Sequence, residues 1–316
     1  LGIIVAAVLV LYGVVWLFGG KVLYPEFYSK AEKAADIPDL WKDFVPQGVT
    51  AVEGSDETII CGYMPGSQNS RIYRISADGT VVRILLVKED GSAYTGHAGG
   101  LTAAGEYIYI SNASTIFVLS ADSVLRAAND STVQFIGSFV VPCRSSFCSS
   151  DGKMLYVGEY HAPGYSTEES HRIATKSGTY QAMVFGYRLS SDGTFGIADT
   201  EVPDVAYAVC DEVQGFAMLP DGTAVVSCSA GLNSSKIKAY RTSGFSDTIF
   251  AQDGEALELC VLDSAREVSV LKAPHMSEDL DYRNGKLYVN FEAGAKKFGG
   301  GILPCSTRSV MKLAVE

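Results

Sequence analysis

The stretch GGLTAAGEYIYISN, residues 99–112, joins a glycine pair to a short turn and a strand of alternating apolar residues. Such alternation is the pattern of a half-buried β-strand. The same order of features recurs four more times in the 316-residue chain, with copies that begin at Gln47, Ser145, Gln214 and Glu278. The stretch is therefore one unit of a repeat, and the repeat decides the fold.

Each copy continues beyond its first two strands. A third apolar stretch follows, as in STIFVLS (114–120), and a fourth precedes the next copy, as in VSVLKAP (268–274). The copies start 52, 46, 69 and 64 residues apart. Periods of about 40–50 residues with four strands per unit are typical of propeller blades. The pattern predicts an all-β, five-bladed β-propeller of four-stranded antiparallel blades over residues 40–316.

Two features of this repeat bear on the number and closure of the blades. The long intervals contain insertions at residues 161–180 and 245–260, and a sixth, degenerate blade in the second insertion is the alternative. The last copy stops after its third strand. We expect the segment LWKDFVPQG (40–48) to supply the missing strand, because ring closure removes exposed sheet edges.

The repeats resemble β-propeller repeat proteins as a class, loosely those of the gluconolactonase-like, strictosidine-synthase-like and NHL-type groups. The resemblance covers roughly residues 40–316 and rests on the repeat pattern, so it implies a fold and no catalytic residue. It also implies that the first strand of each blade lines a central channel, and that residues at the starts of these strands surround one mouth of it.

The repeat register places a polar set of side chains at this mouth. The predicted ligand-binding residues are Gln47, His97, Arg144, Glu159, Glu212, Gln214, Glu278 and Asp279. Glu159 is included because it ends a second strand and begins the first insertion, and long insertions on a rigid scaffold often carry function.

Each of these residues also has a purely structural interpretation. Glycines such as Gly48 and Gly100 are expected to make tight turns, and the polar side chains beside them would then cap those turns. Glu278 and Asp279 are adjacent, so on a regular strand only one of them faces the channel. Arg144 favours an anionic ligand group and disfavours calcium, which needs about six oxygen ligands; calcium remains a possible cofactor.

The amino-acid composition limits the kinds of binding partner that fit this chain. The formal net charge is −11, which argues against nucleic acid, since phosphate binding needs a basic surface. Residues 1–20 carry no charge, and about 20 apolar residues are enough to cross a bilayer as a helix. A cleaved signal peptide is the alternative. We expect a transmembrane anchor at 1–20, a stalk at 21–39 with a short helix over 25–35, and a propeller outside the cytoplasm.

The seven cysteines fit that location. None forms a C-x-x-C pair, which disfavours zinc, and outside the cytoplasm thiols usually pair. The expected disulfides are Cys143–Cys148, Cys210–Cys228 and Cys260–Cys305, with Cys61 left free; buried thiols in a cytosolic domain are the alternative.

Two functions fit these observations. The first is a membrane-anchored module that binds a glycan, a small molecule or a protein at its channel mouth. The alternative is a metal-assisted hydrolase or lactonase with its site in the channel. The chain contains no G-x-S-x-G, P-loop or H-E-x-x-H motif, which favours the binding module.

Overall fold

The computed structural model describes residues 2–243, 249–252, 255–300 and 305–315. Two helices come first, α1 (Gly2–Leu23) and α2 (Pro25–Lys30), followed by strand β1 (Ala31–Asp36). No helix among the described residues meets the length and hydropathy needed to cross a membrane. Phe27 of α2 is buried and packs edge-on against Phe291 at a centroid distance of 5.9 Å, so α2 is docked on the domain that follows.

Five antiparallel sheets follow, one for each sequence repeat. The strands of blades 1 and 2 are β2 (Val45–Ala51), β3 (Thr58–Tyr63), β4 (Arg71–Ile75), β5 (Val81–Val87), β6 (Gly100–Ala104), β7 (Tyr107–Asn112), β8 (Thr115–Ser120), β9 (Ser131–Gln134) and β10 (Gly137–Val140). The strands of blade 3 and its insertion are β11 (Ser145–Ser150), β12 (Met154–Glu159), β13 (Ile173–Thr175), β14 (Gly178–Tyr180), β15 (Ala182–Thr194) and β16 (Val205–Val209).

The remaining strands belong to blades 4 and 5 and to the second insertion. They are β17 (Val213–Met218), β18 (Thr223–Cys228), β19 (Ser235–Arg241), β20 (Ile249–Gln252), β21 (Glu255–Val261), β22 (Glu267–Ala273), β23 (Ser277–Arg283), β24 (Lys286–Phe291) and β25 (Ser309–Ala314). Short helical segments are α3 (Ala121–Arg126) and the 3₁₀ turns Leu40–Lys42, Glu169–His171 and Lys296–Phe298.

The innermost strands β2, β6, β11, β17 and β23 contact one another in that order and return from β23 to β2. This closed circle confirms a five-bladed propeller. Each of the five buried apolar clusters lies between two consecutive blades, so the core is divided into five wedges. Asn284 and Gly285 join β23 to β24 with φ of 52° and 74°, as a type I′ hairpin requires.

The N-terminal part of the chain closes the ring, but with a different segment from the one predicted. Strand β1 pairs antiparallel with β25, from Ala31↔Leu313 to Asp36↔Ser309, and completes blade 5. Of the predicted closing segment 40–48, the first part is a 3₁₀ turn and the rest begins β2. The predicted helix over 25–35 ends at Lys30, because the polar residues that follow form an edge strand.

Extra strands extend two blades and account for the irregular spacing. The apolar stretch VQFIGSFVV (133–141), which precedes the copy at Ser145, divides between two blades: β9 joins the outer edge of blade 1 and only β10 stays in blade 2. The described part of the second insertion forms the hairpin β20–β21, which adds to blade 3 through parallel pairing of β21 with β16. The described residues of this insertion therefore extend blade 3 and form no sixth blade; residues 245–248, 253 and 254 lie outside the described residues.

The repeat glycines have another role than the predicted turns. A Cβ on Gly48 would lie 2.3 Å from the amide nitrogen of Leu101 in blade 2, and a Cβ on Gly100 would lie 2.3 Å from that of Cys148 in blade 3. Gly215 approaches blade 5 in the same way. None of the three has a positive φ. These glycines are required because the inner strands approach each other backbone to backbone at the axis.

The cysteines form no disulfide, in contrast to the prediction. All seven are free thiols. Cys260 lies in the cluster between blades 3 and 4, whereas Cys305 lies in the cluster between blades 4 and 5, so the two are packed in different wedges. The sulfur atoms of Cys210 and Cys228 come within 3.5 Å of each other without a bond between them.

Candidate ligand site at the channel mouth

The mouth where the inner strands begin connects several predicted residues. Gln47, Gln214 and Glu278 occupy equivalent positions, each one residue before the glycine of the repeat or its substitute. The side-chain amide of Gln214 lies 3.5 Å from Glu278 Oε1, and that of Gln47 donates to Glu292 Oε2 at 3.0 Å. The structure therefore joins these predicted residues through a carboxyl group, Glu292, that was not predicted.

The Glu278 and Glu292 carboxyl groups lie next to each other, and each shifts the pKa of the other. Glu278 is buried, and burial together with the Glu292 carboxylate raises the pKa of Glu278 well above its usual range. Burial also raises the pKa of Glu292 to about 7, although hydrogen bonds from Gln47 and Glu278 and the Lys297 ammonium oppose this. Two adjacent carboxyl groups do not both ionise easily, so the pair holds a proton at neutral pH.

An aromatic rim lies above this pair. The rings of Tyr63 and His97 stack with centroids 4.6 Å apart and an interplanar angle of 27°. Lys297 Nζ donates to the Tyr63 hydroxyl at 2.5 Å. Tyr160 and Tyr165 make an edge-on pair with ring centroids 5.6 Å apart. Burial raises the pKa of Tyr160 to about 12, and the carboxyl groups of Glu212 and Glu278 add to this effect.

His97 does belong to the mouth, as predicted, but as a neutral aromatic group. Its side chain is exposed to solvent within the concave mouth. Surrounding protein reduces its solvation, and this effect, with the charge of Lys297, lowers the pKa of His97 to about 4. The imidazole is therefore uncharged at neutral pH and offers a stacking face and one hydrogen-bond donor.

Asp279 faces the channel as well, although a regular strand would turn it away from Glu278. The register of β23 shifts between Ser277 and Leu280, and this bulge re-aims the side chains. Asp279 Oδ2 accepts from the amide of Leu101 at 3.0 Å, across the axis in blade 2. Asp279 occupies the repeat position of Gly48, so its carboxylate fills the axis and joins the blades.

A second polar layer closes the channel below Asp279. Asp281 accepts hydrogen bonds from Thr50 at 2.5 Å and Thr102 at 3.0 Å and lies 3.3 Å from Arg283 Nη2. Burial raises the pKa of Asp281 to about 6. Both hydrogen bonds and the Arg283 contact engage Oδ2, whereas Oδ1 of Asp281 is buried without a hydrogen-bond partner among the described residues.

The other predicted residues lie outside this cluster. Arg144 is exposed, and no side-chain partner is found for it among the described residues. Glu159 is fully buried beneath the first insertion, where it accepts from His171 Nδ1 at 2.6 Å and from the Met183 amide at 3.1 Å. Glu212 has φ of 66° and borders the mouth next to Tyr160.

Sequence reasoning missed Glu292, Lys297, Tyr63 and Tyr160. Three of these four follow from the antiparallel order of the strands, since the end of a second strand returns beside the start of the first. The register Val45↔Tyr63 in blade 1 and Ser277↔Phe291 in blade 5 shows this. Glu292 and Tyr160 each follow such a strand directly. Lys297 comes from a 3₁₀ turn and carries no comparable signal.

Two further observations concern metal ligands and the other end of the channel. In the described part of the chain, no group of three or more His, Cys, Asp or Glu side chains is placed to hold a metal ion. At the opposite end of the channel a cavity of about 420 Å³ is lined by Glu53, Asp151 and Arg283 among others. It contains none of the predicted residues.

Comparison with known proteins shows no family for this chain. No family model matches the chain, and no curated protein matches it in sequence. Several hundred solved chains match in structure. One is the hydrazine synthase of Kuenenia stuttgartiensis, at 15% identity and a TM-score of 0.37, over 81% of this chain and 56% of that one.

Two other solved structures are similar over most of their length. A glucose dehydrogenase-type putative oxidoreductase from Thermus thermophilus matches at 14% identity and a TM-score of 0.46, over 90% of this chain and 99% of that one. The PQQ-bound aldose sugar dehydrogenase of Streptomyces coelicolor matches at 14% identity and a TM-score of 0.43, over 82% of this chain and 76% of that one. These likenesses carry no argument about the activity of this chain.

Proposed function

We propose that the protein is a binding module whose channel mouth holds a neutral, hydroxyl-bearing ligand such as a saccharide. The observation that carries this proposal is the pair of neighbouring carboxyl groups, Glu278 and Glu292, flanked by the amides of Gln47 and Gln214. A pair that shares one proton offers acceptor oxygens, and the Gln214 amide beside it supplies N–H donors. Hydroxyl groups, which donate and accept, complement such a pair, whereas an anion does not.

The aromatic rim supports the same ligand class. Tyr63 and His97 present stacked rings at the opening, and Tyr160 and Tyr165 present a second aromatic pair. Rings of this kind supply apolar area for the C–H faces of a sugar while their polar tips stay hydrated. Ligand sites commonly combine apolar walls with a few polar groups that fix orientation.

The geometry favours binding over hydrolysis. The two carboxyl groups of a glycoside hydrolase stand about 5 Å or more apart, with the bond to be cleaved between them. Glu278 and Glu292 are instead neighbouring carboxyl groups that shift each other's pKa and share a proton. A carboxyl group engaged in this way is not free to act as a separate acid or base on opposite sides of a substrate.

The location forms part of the same proposal. We propose that residues 1–20 anchor the chain in a membrane with the propeller outside the cytoplasm. The uncharged run of 20 residues supports this. Extraction of native membranes with alkaline carbonate tests it: the anchored protein stays in the pellet, and release into the supernatant would contradict the anchor.

Calorimetric titration tests the ligand class. Neutral mono- and disaccharides are compared with the corresponding uronic acids on the wild-type protein and on Glu292→Gln. We expect binding of at least one neutral sugar, weaker binding of its uronate, and loss of affinity in the variant. Glu53→Gln at the opposite mouth is the matched control and should bind as wild type. Equal binding by Glu292→Gln, or binding of uronates alone, would contradict the proposal.

A further inference from the structure

A pair of thiols borders a surface cavity beside blade 4. Cys210 follows β16 and Cys228 ends β18, and their sulfur atoms are 3.5 Å apart. Cys210 is partly exposed, whereas Cys228 is 7% exposed. Both line a cavity of about 360 Å³ together with Lys238, so a small reagent can reach the pair.

The charge around the pair favours a thiolate on Cys210. Lys238 Nζ lies 3.9 Å from Cys210 Sγ and is held on its other side by Glu267 at 3.7 Å. A hydrogen bond from Cys228, with the Lys238 ammonium and the Tyr240 hydroxyl, lowers the pKa of Cys210 to about 7. The hydrogen bond that Cys228 donates to Cys210 raises the pKa of Cys228. Cys210 is therefore the thiol that ionises first, and Cys228 keeps its proton.

Two carboxylate groups also act on the thiol pair. Asp211 raises the pKa of Cys210 by repulsion, and Glu212 does the same for Cys228. These carboxylates oppose Lys238, and Lys236 adds a second ammonium group to the lining of the cavity. The remaining cysteines differ, because burial raises the pKa of each of them: Cys61, Cys143, Cys148, Cys260 and Cys305.

We propose that Cys210 and Cys228 form a redox-active pair in which Cys210 attacks a low-molecular-weight disulfide and Cys228 resolves the product. The proposal follows from the distance between the sulfurs, their unequal exposure and the position of Lys238, and it does not depend on the ligand at the channel mouth. Reactive cysteines are thiolates in partly exposed, electropositive sites, and this site is the only one of that kind among the seven cysteines, all of which the structure describes.

The proposed reaction consists of two successive thiol–disulfide exchanges. The Cys210 thiolate attacks one sulfur of a disulfide RSSR, forms a mixed disulfide and releases RS⁻. Cys228 then loses its proton, attacks Cys210 Sγ and expels the second RS⁻, which forms the internal disulfide. Overall, the pair loses two electrons and two protons, and RSSR becomes two RSH. The sulfurs need to approach by only about 1.5 Å, from 3.5 Å to bonding distance.

Oxidised glutathione is the probe, with mass spectrometry of the reduced full-length protein. We expect the wild type to lose two hydrogens and to yield a Cys210–Cys228 linked peptide, without stable glutathione adducts. Cys228→Ser should accumulate a glutathione adduct on Cys210, and Cys210→Ser should accumulate none. Wild-type adducts distributed over several cysteines, or no adduct on Cys228→Ser, would overturn the proposal.

Alkylation rates give a second readout that does not require the disulfide. At pH 7, iodoacetamide should label Cys210 at least about tenfold faster than the five buried thiols, which serve as internal controls. Lys238→Met should slow the labelling of Cys210 and move its pH midpoint upward. Circular dichroism verifies that each variant is folded, and equal labelling of all seven thiols in a folded protein would refute the assignment.

Discussion

Glu278 and Glu292, two neighbouring carboxyl groups of blade 5 at the channel mouth, are bridged to blades 1 and 4 by the side-chain amides of Gln47 and Gln214. The pair thus links three blades at one point. Its protonation state sets both the stability of the mouth and the chemistry that the mouth presents to a ligand.

The stability of the fold should fall as the pH rises from about 5 to 8. The pKa of Glu278 is raised well above its ordinary value, that of Glu292 to about 7 and that of Asp281 to about 6. These three carboxyl groups therefore bind more protons in the folded state than in the unfolded state in this window, and the stability they contribute is lost as the protons leave. The lowered pKa of His97 acts in the opposite direction below about pH 7, so it offsets a part of this loss. One group contributes a slope of at most about 1.4 kcal/mol per pH unit.

Urea unfolding of the wild type and Glu278→Gln across this pH range checks the prediction. The glutamine is neutral at every pH and similar in size, so the variant should show a flatter dependence while Asp281 preserves a part of it. Glu53→Gln, exposed at the other mouth, should follow the wild type. A stability that increases from pH 5 to 8 would rule out the protonated pair.

Substitution of Gly100 by alanine should destabilise the ring. The added Cβ would lie 2.3 Å from the amide nitrogen of Cys148, which belongs to the backbone of the next blade and cannot rotate away. Overpacking of this kind costs about 1–3 kcal/mol or more. Gly13→Ala is the control, since its Cβ would meet nothing within 4 Å. Equal melting temperatures for the two variants would refute the close approach of the blades.

These glycines show which features of the fold the sequence alone predicts and which it does not. The repeat that begins at Gly99 and recurs at Gln47 and Gln214 predicted the number of blades, because a period with four strands has few structural solutions. It did not reveal why glycine is needed at Gly48, Gly100 and Gly215. A tight turn and a close approach both select glycine, and only the neighbouring blade distinguishes them.

The same limit explains the missed site residues. Glu278 was predicted from its place at the start of a repeat, yet its partner Glu292 comes from the end of the following strand. Antiparallel pairing brings strand ends back to the same mouth, but the bulge in β23 decides that Glu278 and Asp279 both face the channel. The closing strand was misplaced because β1 is short and polar at the outer edge, where propensity is a weak guide.

Glu159 should prove structural rather than ligand-binding. Its Oε1 accepts from both His171 and Met183, and its removal in Glu159→Ala would leave two buried donors without this acceptor. Buried groups deprived of a partner cost about 1–3 kcal/mol each, so the melting temperature should fall. Glu159→Gln keeps an acceptor oxygen and should lose less. Unchanged stability of Glu159→Ala combined with lost saccharide binding would return this residue to the ligand site.

His97→Ala should weaken binding without loss of stability. His97 is exposed and stacks on Tyr63 at 4.6 Å, and an aromatic contact of this kind is worth about 0.5–1.5 kcal/mol, or roughly two- to tenfold in affinity. Arg144→Ala, also exposed, serves as the matched control and should bind normally. Calorimetry and thermal melts of both variants give the answer, and the opposite order of effects would place the ligand at Arg144.

The most direct measurement is a carbon-13 NMR titration of the glutamate carboxyl groups, assigned with Glu278→Gln and Glu292→Gln, in the absence and presence of a neutral disaccharide. We predict that Glu292 titrates near pH 7 and that Glu278 stays protonated above the ordinary range of a glutamate. The disaccharide should shift the resonances of both carboxyl groups but not that of Glu53. Ionisation of both carboxyl groups below pH 5, or resonances that no saccharide moves, would contradict it.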